Sequence, residues 1–167
     1  MRPFLRLAVL ALLAACSPAA AQLSNRSISV ESGISLPVGD ASRASVPVAI
    51  LATAWLEGPV DAVARLAFGT AAEPSGRGTA RRVEGTAGLR WSFGTDPLRP
   101  QLQLELGWAH AAGWEAAAPA SGVAAAAGAG LEWFARRDAA LAARASLRRA
   151  AGEGWRPELT LGASFYF

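Results

Sequence analysis

Nine charged residues occupy alternating positions in apolar, strand-like segments of the chain. Because side chains alternate between the two faces of a strand, these charges share one face and the apolar residues share the other. Charges enclosed by a closed sheet must be paired and hydrogen-bonded. We therefore expect an arginine–glutamate network that plugs the interior, with a narrow gated ion path as the alternative. The nine residues are Glu31, Arg65, Glu84, Arg90, Glu105, Glu132, Arg144, Arg148 and Glu158.

Eight alternating segments must position these charges. Their apolar faces are rich in Val, Leu, Ile and Ala, and their other faces carry small, polar or charged residues. In the second segment both faces are apolar at 48–51, which leaves its register open. The segments cover 27–36, 45–57, 60–70, 82–93, 98–110, 122–134, 139–149 and the tail at 158–167.

The connections between the segments alternate strictly between two lengths. Short, turn-like connections at 57–59, 94–97 and 135–138 follow the second, fourth and sixth segments. The connections at 37–44, 71–81, 111–121 and 150–155 are mostly longer and rich in Gly, Pro, Ser and charge. Short turns on the periplasmic side and longer loops outside are typical of outer-membrane barrels. An even number of strands then places both termini in the periplasm.

Composition agrees with a membrane barrel. Hydrophobic residues make up 52% of the chain and charged residues only 17%, which is low for a soluble domain. After residue 21 no apolar run approaches the roughly 20 residues that a membrane helix needs. Apolar residues that are interleaved with polar ones indicate strands that face lipid.

Charge and motifs exclude several function classes. The net charge of +3 comes entirely from arginine, and the arginines are scattered with glutamates between them, so we expect no nucleic-acid partner. The sequence contains no Walker, Rossmann, zinc-binding or nucleophile-elbow motif. We therefore expect a protein that is not an enzyme, with no catalytic residue, cofactor or metal.

The N-terminal region is typical of a secretory signal peptide. Two arginines precede a short apolar run at 7–13, and small residues occupy the −3 and −1 positions of a cut after Ala21. We expect a signal peptide at 1–21 and a barrel domain at 22–167. The alternative is a lipobox at 13–16, in which the only cysteine, Cys16, is lipidated and becomes the first mature residue.

Aromatic residues gather at the ends of the segments. Phe68 and Trp108 lie at the ends next to the long loops, and a larger set lies next to the short turns. Two such bands are the girdles that membrane barrels place at the headgroup boundary. The predicted girdle on the short-turn side consists of Trp55, Trp91, Phe93, Trp133, Phe165 and Phe167.

A helical interpretation competes over two stretches. Residues 138–151 are mostly Ala, Leu and Arg behind an N-cap-like Asp138, and 111–129 is similar but interrupted by Pro and Gly. We favour strands because alternation with a period of two persists, and because lipid requires every backbone group to be paired.

The closing residues Leu161-Gly162-Ala163-Ser164-Phe165-Tyr166-Phe167 alternate to an aromatic end. With seven further strands before them, the chain resembles the small outer-membrane β-barrel families represented by the OmpA membrane domain and OmpX. The resemblance implies an all-β, eight-stranded, antiparallel, up-and-down transmembrane barrel in the outer membrane of a Gram-negative bacterium. It also implies that Phe167 and Phe165 are the signal that the barrel-assembly machinery recognises.

His110 is the only histidine, and we expect it to face outward near the long-loop boundary. Some eight-stranded barrels are lipid A hydrolases that use a histidine with a nearby serine and an acid. Here Ser121 and Glu115 fall in the following loop, and nothing in the sequence fixes their geometry. We therefore interpret His110 as an interfacial residue.

Arginines of the outer loops are candidate ligands for lipopolysaccharide phosphates. An equally simple interpretation is that these arginines are ordinary solvated loop residues. The loop candidates are Arg43, Arg77, Arg81, Arg82 and Arg156, with Trp114 and Trp155. We expect a monomeric envelope protein with a structural, surface-interaction or weakly porin-like role, whose partners are outer-membrane lipid, lipopolysaccharide and the barrel-assembly machinery. The alternatives are a lipid-modifying membrane enzyme and a lipoprotein anchored at Cys16.

Overall fold

The computed structural model describes residues 26–36, 44–72, 79–94, 97–112, 120–150 and 154–167. No helix in these ranges is long and apolar enough to cross a membrane. Several predictions concern residues outside them: the signal peptide at 1–21, the lipobox cysteine Cys16, the cut before Gln22, and the loop residues Arg43, Arg77, Trp114 and Glu115.

Eight strands make up the regular structure of the described residues. Each strand has 10 to 17 residues, which is long enough to cover the apolar band of a bilayer when it is tilted. The strands are β1 (Arg26–Ser35), β2 (Val46–Glu57), β3 (Val60–Ala72), β4 (Thr79–Ser92), β5 (Leu98–Ala112), β6 (Ala120–Arg136), β7 (Ala139–Arg149) and β8 (Trp155–Tyr166).

Every strand pairs antiparallel with its sequence neighbours, and β1 pairs with β8 to close the sheet. The closing seam runs from the pair Ser27 and Tyr166 to the pair Ser35 and Glu158, and the backbone amide of Phe167 donates to the carbonyl of Arg26 at 3.0 Å. A closed barrel leaves no unpaired strand edge. The predicted fold class, an eight-stranded antiparallel up-and-down barrel, is confirmed.

The helical interpretation of 111–129 and 138–151 is wrong where the structure describes these residues, because β6 and β7 pair with each other from Ala125 and Arg149 to Arg136 and Ala139. Alanine and arginine favour helices in isolated peptides, but here a neighbouring strand on each side supplies the backbone hydrogen bonds.

Strands next to the long loops extend further than alternation alone predicts. The β3–β4 ladder continues to the pair Ala72 and Thr79, and the β5–β6 ladder continues to the pair Ala111 and Ala120. The sequence prediction stopped where apolar residues ceased to alternate. Backbone hydrogen bonds do not depend on side-chain polarity, so the hairpins continue beyond the apolar belt.

The apolar and charged faces lie opposite to where a soluble protein has them. Leu161 on β8 is 70% exposed and Leu106 on β5 is 67% exposed, whereas glutamates and arginines are buried inside. In β2, whose register the sequence left open, Ala49 and Leu51 face the interior and Val48 and Ile50 face outward. Such a large exposed apolar surface requires a nonaqueous neighbour.

Candidate functional site

The structure places all nine charged residues of the predicted network inside the barrel. Eight of them are buried, and the side chain of Arg144 retains only 9% of its accessible surface. The interior of an eight-stranded barrel is just wide enough to be filled by side chains. The charges therefore make contacts across the lumen, in three groups.

The first group surrounds Glu84 on β4. Arg148 donates to Oε1 of Glu84 from Nε at 2.9 Å and from Nη2 at 2.6 Å. Arg156 reaches Oε2 at 3.3 Å, and Arg65 and Arg82 lie at 3.5 and 3.7 Å. One buried carboxylate thus contacts four guanidinium groups, which come from strands β3, β4, β7 and β8.

Two further carboxylates complete this group. Glu105 accepts from Nη2 of Arg148 at 3.1 Å and from Nε2 of Gln103 at 2.7 Å, and it also contacts Thr86. Glu158 accepts from Nη2 of Arg65 at 2.7 Å. Arg148 is therefore bound to two glutamates from neighbouring strands, and the group spans the barrel from wall to wall. We call the side chains of Arg65, Arg82, Glu84, Glu105, Arg148, Arg156 and Glu158 the Glu84 group.

The second group is a chain of polar contacts that leads toward the short turns. Arg144 forms an ion pair with Glu31 and donates to Oε1 of Gln101 at 3.3 Å. Gln101 donates to Glu132 at 2.7 Å, and the hydroxyl of Tyr166 donates to the same carboxylate at 2.6 Å. These contacts join strands β1, β5, β6, β7 and β8.

Glycines on the inner face make room for these long side chains. A Cβ atom on Gly130 would lie 2.7 Å from Cγ of Arg144, and one on Gly162 would lie 2.6 Å from Cγ of Glu31. The two glycines therefore determine how closely the second group packs against the barrel wall.

The third group lies at the end of the barrel that carries the short turns. Arg90 donates to Oδ2 of Asp61 from Nη2 at 3.1 Å and from Nε at 3.2 Å, and Ser92 approaches the same oxygen at 3.4 Å. Arg90 also reaches the hydroxyl of Thr53 at 3.4 Å. This group forms the floor of a funnel that opens between the turns.

The free space in the barrel is distributed unevenly. Between the first two groups, next to Glu31, Arg65 and Glu105, a void of 20 Å³ remains. That volume holds about one water molecule. The funnel beyond Arg90 is much larger, at 570 Å³. In the described residues the interior is thus filled by ion pairs in its middle and hollow at one end.

Several interior residues were absent from the predicted network. Arg82 and Arg156 were expected in the outer loops, but Arg82 pairs with Glu84 and Arg156 is buried against it. The even positions of β4 and β8 face inward. Alternation therefore already placed Arg82, the first residue of the predicted fourth segment, on the inner face, and it would have revealed Arg156 had the last strand been drawn to its full length. The other members are uncharged or lie near a turn: Asp61, Gln101, Gln103 and Tyr166.

His110 faces a serine that the sequence analysis assigned to a loop. Ser121 is the second residue of β6 and pairs directly with His110 of β5. Nδ1 of His110 lies 2.6 Å from Oγ of Ser121. The pair is at the outer surface, next to the long loops. In the described part of the chain no carboxylate hydrogen-bonds to this histidine.

The aromatic residues near the short turns occupy two different surroundings. Trp133, Phe165 and Phe167 are about half exposed on the outside of the barrel. Trp55 differs from the expectation of a lipid-facing girdle, because it pairs with the inward-facing Asp61 and lines the funnel. Trp55 continues the inward-facing series of Leu51 and Thr53 by simple alternation, and the register shift comes only after it, between Trp55 and Glu57.

The remaining girdle residues are Trp91, which pairs with the lipid-facing Leu102, and Phe93, which follows β4 and lines the funnel. Among the loop-side candidates, Arg81 and Trp155 are exposed, and the guanidinium of Arg149 lies 6.0 Å from the ring of Trp155. The described residues contain no group of three or more His, Cys, Asp or Glu side chains that is arranged to hold a metal ion.

Comparisons with known proteins support the same architecture. No protein-family model matches the chain, and no curated protein matches it. Among solved structures, Neisserial surface protein A superposes with a TM-score of 0.67 at 14% identity, covering 85% of this chain and 96% of that one. Ail, the attachment invasion locus protein of Yersinia pestis, gives 0.60 at 16% identity, with 87% and 100% covered.

A third similar structure is that of the outer membrane enzyme PagL, with a TM-score of 0.54 at 12% identity, covering 83% of this chain and 98% of that one. These likenesses concern the fold. Together with the closed topology and the inverted distribution of polarity, they show that the chain has the fold of the small eight-stranded outer-membrane β-barrels.

Proposed function

We propose that this protein is an integral protein of the Gram-negative outer membrane, with a structural or surface-interaction role and without enzymatic activity. The observation that carries the proposal is the Glu84 group, which fills the lumen with paired charges while the outside remains apolar. A channel would require this group to separate. Separating its buried ion pairs is energetically costly, since breaking one leaves an uncompensated charge in the interior.

The proposed orientation places both termini and the short turns in the periplasm and the long connections outside the cell. It is supported by the alternation of loop lengths and by the even number of strands. In this orientation Arg81 and Trp155 approach the outer leaflet, where arginine pairs well with lipopolysaccharide phosphates. Phe165 and Phe167, at the closing seam, are the proposed signal for the barrel-assembly machinery.

Cell fractionation tests the location. The full-length gene, expressed in a Gram-negative host, should yield a protein in the outer-membrane fraction that migrates faster on a gel before boiling than after it. Recovery in the soluble periplasm, or migration that boiling does not change, would contradict the proposal. Intact mass of the mature protein then distinguishes a chain that starts at Gln22 from one that is lipidated at Cys16.

A second candidate function rests on the contact between His110 and Ser121. A hydroxyl within hydrogen-bond reach of an imidazole is the arrangement of an activated nucleophile, and the pair lies at the surface where a lipid ester would arrive. A membrane enzyme with the same fold is among the similar structures. The candidate is a lipid ester hydrolase. Oγ of Ser121 attacks the ester carbonyl while His110 takes its proton, the lipid alcohol leaves with that proton, and water then releases the fatty acid from the acyl-serine.

Mass spectrometry of host lipid A and phospholipids decides between the two functions. Expression of the wild-type protein should leave the lipid profile unchanged if the role is structural. Loss of an acyl chain in cells with the wild type, and its retention in cells with Ser121→Ala, would replace the first proposal with the second. Ser32→Ala is the control, because Ser32 is also exposed but lies on β1, which does not neighbour β5 or β6.

A further inference from the structure

The funnel at the short-turn end has the size of a ligand site. Its 570 Å³ falls within the range of about 300 to 1,000 Å³ that is typical of small-molecule pockets. Its floor is the third group, formed by Arg90, Asp61 and Ser92, and it opens between the short turns. Its wall is built from the ends of six strands (β2, β3, β4, β5, β6 and β8) and from the three short turns.

The charge of the funnel wall is predominantly positive. Three arginines, Arg90, Arg99 and Arg137, line it against one carboxylate, Asp61. Oδ2 of that carboxylate already accepts hydrogen bonds from Arg90 and Ser92. Nη1 of Arg90 has no hydrogen-bond partner among the described residues, although the residue is buried. A wall of this composition attracts an anion.

Flat rings make up much of the remaining wall. Trp55 and Phe93 are about half exposed, and the rings of Phe134 and Tyr166 pack with their centroids 5.0 Å apart. The guanidinium of Arg99 lies 4.4 Å from the centroid of the Phe134 ring. This stacking orders the Arg99 side chain before any ligand binds. The side chain therefore loses less conformational entropy when an anion binds to it.

We propose that the funnel binds a small organic anion that carries a carboxylate on a flat, apolar group. The carboxylate is placed between Arg99 and Arg137, and the flat group lies against Trp55, Phe93 and Phe134. In the proposed orientation the ligand enters from the periplasm. The binding proposal does not rest on that orientation, because the funnel has the same lining whichever side of the membrane it opens to.

The probe for this site is 2-naphthoate, and its neutral match is 2-naphthamide. Binding is measured by isothermal titration calorimetry on the full mature chain in lipid nanodiscs, with empty nanodiscs as the blank for partition into lipid. Wild-type protein should bind naphthoate saturably and about tenfold or more tightly than the amide, because charge-assisted hydrogen bonds to arginine distinguish the two.

Paired variants locate the site. The double variant Arg99→Gln, Arg137→Gln should weaken naphthoate binding about tenfold or more. Arg149→Gln is the matched control, because Arg149 also lies over an aromatic ring but at the opposite end of the barrel. It should change the affinity less than twofold. Heat-modifiable migration establishes that each variant is folded before it is titrated.

The indole resonance of Trp55, assigned with Trp55→Phe, provides an independent readout, since its Nε1 donates to the carbonyl of Gly58 at 2.8 Å at the funnel rim. Naphthoate should shift this resonance and leave that of Trp155 in place. The proposal is overturned by binding no greater than to empty nanodiscs, by equal affinity for the amide, or by an equal loss in Arg149→Gln.

Discussion

Arg148 on β7 binds Glu84 on β4 through two nitrogens, at 2.6 and 2.9 Å, across the lumen of the barrel and not between neighbouring strands. The same guanidinium reaches Glu105 on β5 at 3.1 Å. Three strands are thus joined by one cation in the interior, in addition to the backbone ladder that joins them in the wall. The interior network therefore contributes both to the closure of the lumen and to the stability of the barrel.

Replacement of Glu84 should strongly destabilise the protein. Glu84→Gln keeps the shape but leaves the four neighbouring arginines without this carboxylate, and an uncompensated buried charge costs about 3 to 5 kcal/mol. Unfolding by urea in phospholipid vesicles, followed by tryptophan fluorescence, measures the loss. Glu57→Gln, at an exposed position at the end of β2, should stay within about 0.5 kcal/mol of wild type. Equal stability of the two variants would show that the Glu84 group contributes little.

A methyl group at Gly162 should also be unfavourable. Its Cβ would lie 2.6 Å from Cγ of Glu31 and 2.5 Å from the carbonyl oxygen of Val30, so Gly162→Ala should cost about 1 to 3 kcal/mol of unfolding free energy. The control is Gly85→Ala, because an added Cβ there meets no atom within 4 Å. The same urea titration compares them. Unchanged stability in Gly162→Ala would mean that the contact between Glu31 and the wall is loose.

An arginine substituted on the outer face should destabilise the barrel more at the middle of a strand than near its end. Leu161 lies near the middle of β8 and Leu98 begins β5 next to a short turn, and both are exposed. In vesicles, Leu161→Arg should lower the unfolding free energy by about 2 to 4 kcal/mol, and Leu98→Arg by no more than about 1 kcal/mol. An equally small effect at both positions would indicate that β8 does not face hydrocarbon.

Much of this architecture follows from alternation in the sequence. Side chains of opposite polarity at odd and even positions placed Glu31, Arg65 and Glu132 on the interior and Leu104 and Leu161 on the exterior, and the eight-stranded fold followed from counting such segments. The prediction failed at strand ends. There Ser121 and Arg156 belong to the ladder although their neighbours no longer alternate.

The partners inside the lumen could not be read from the sequence. Arg65 and Glu158 meet at 2.7 Å although 93 residues separate them. That contact depends on how far each strand is displaced along its neighbour around the whole barrel, which no local pattern encodes. The inward position of Trp55 was not predicted because both faces of β2 are apolar at 48–51, which left its register open. Once Leu51 is known to face inward, alternation places Trp55 on the same side.

The most direct test of the central claim, that paired charges close this barrel, is single-channel recording of the purified wild-type protein in planar lipid bilayers. Folding is first verified by heat-modifiable migration of the same sample, so that silence does not reflect unfolded protein. Our account predicts no reproducible open-channel steps in the nanosiemens range. Reproducible steps of that size would contradict it, because the Glu84 group would then have to leave a continuous aqueous path through the barrel.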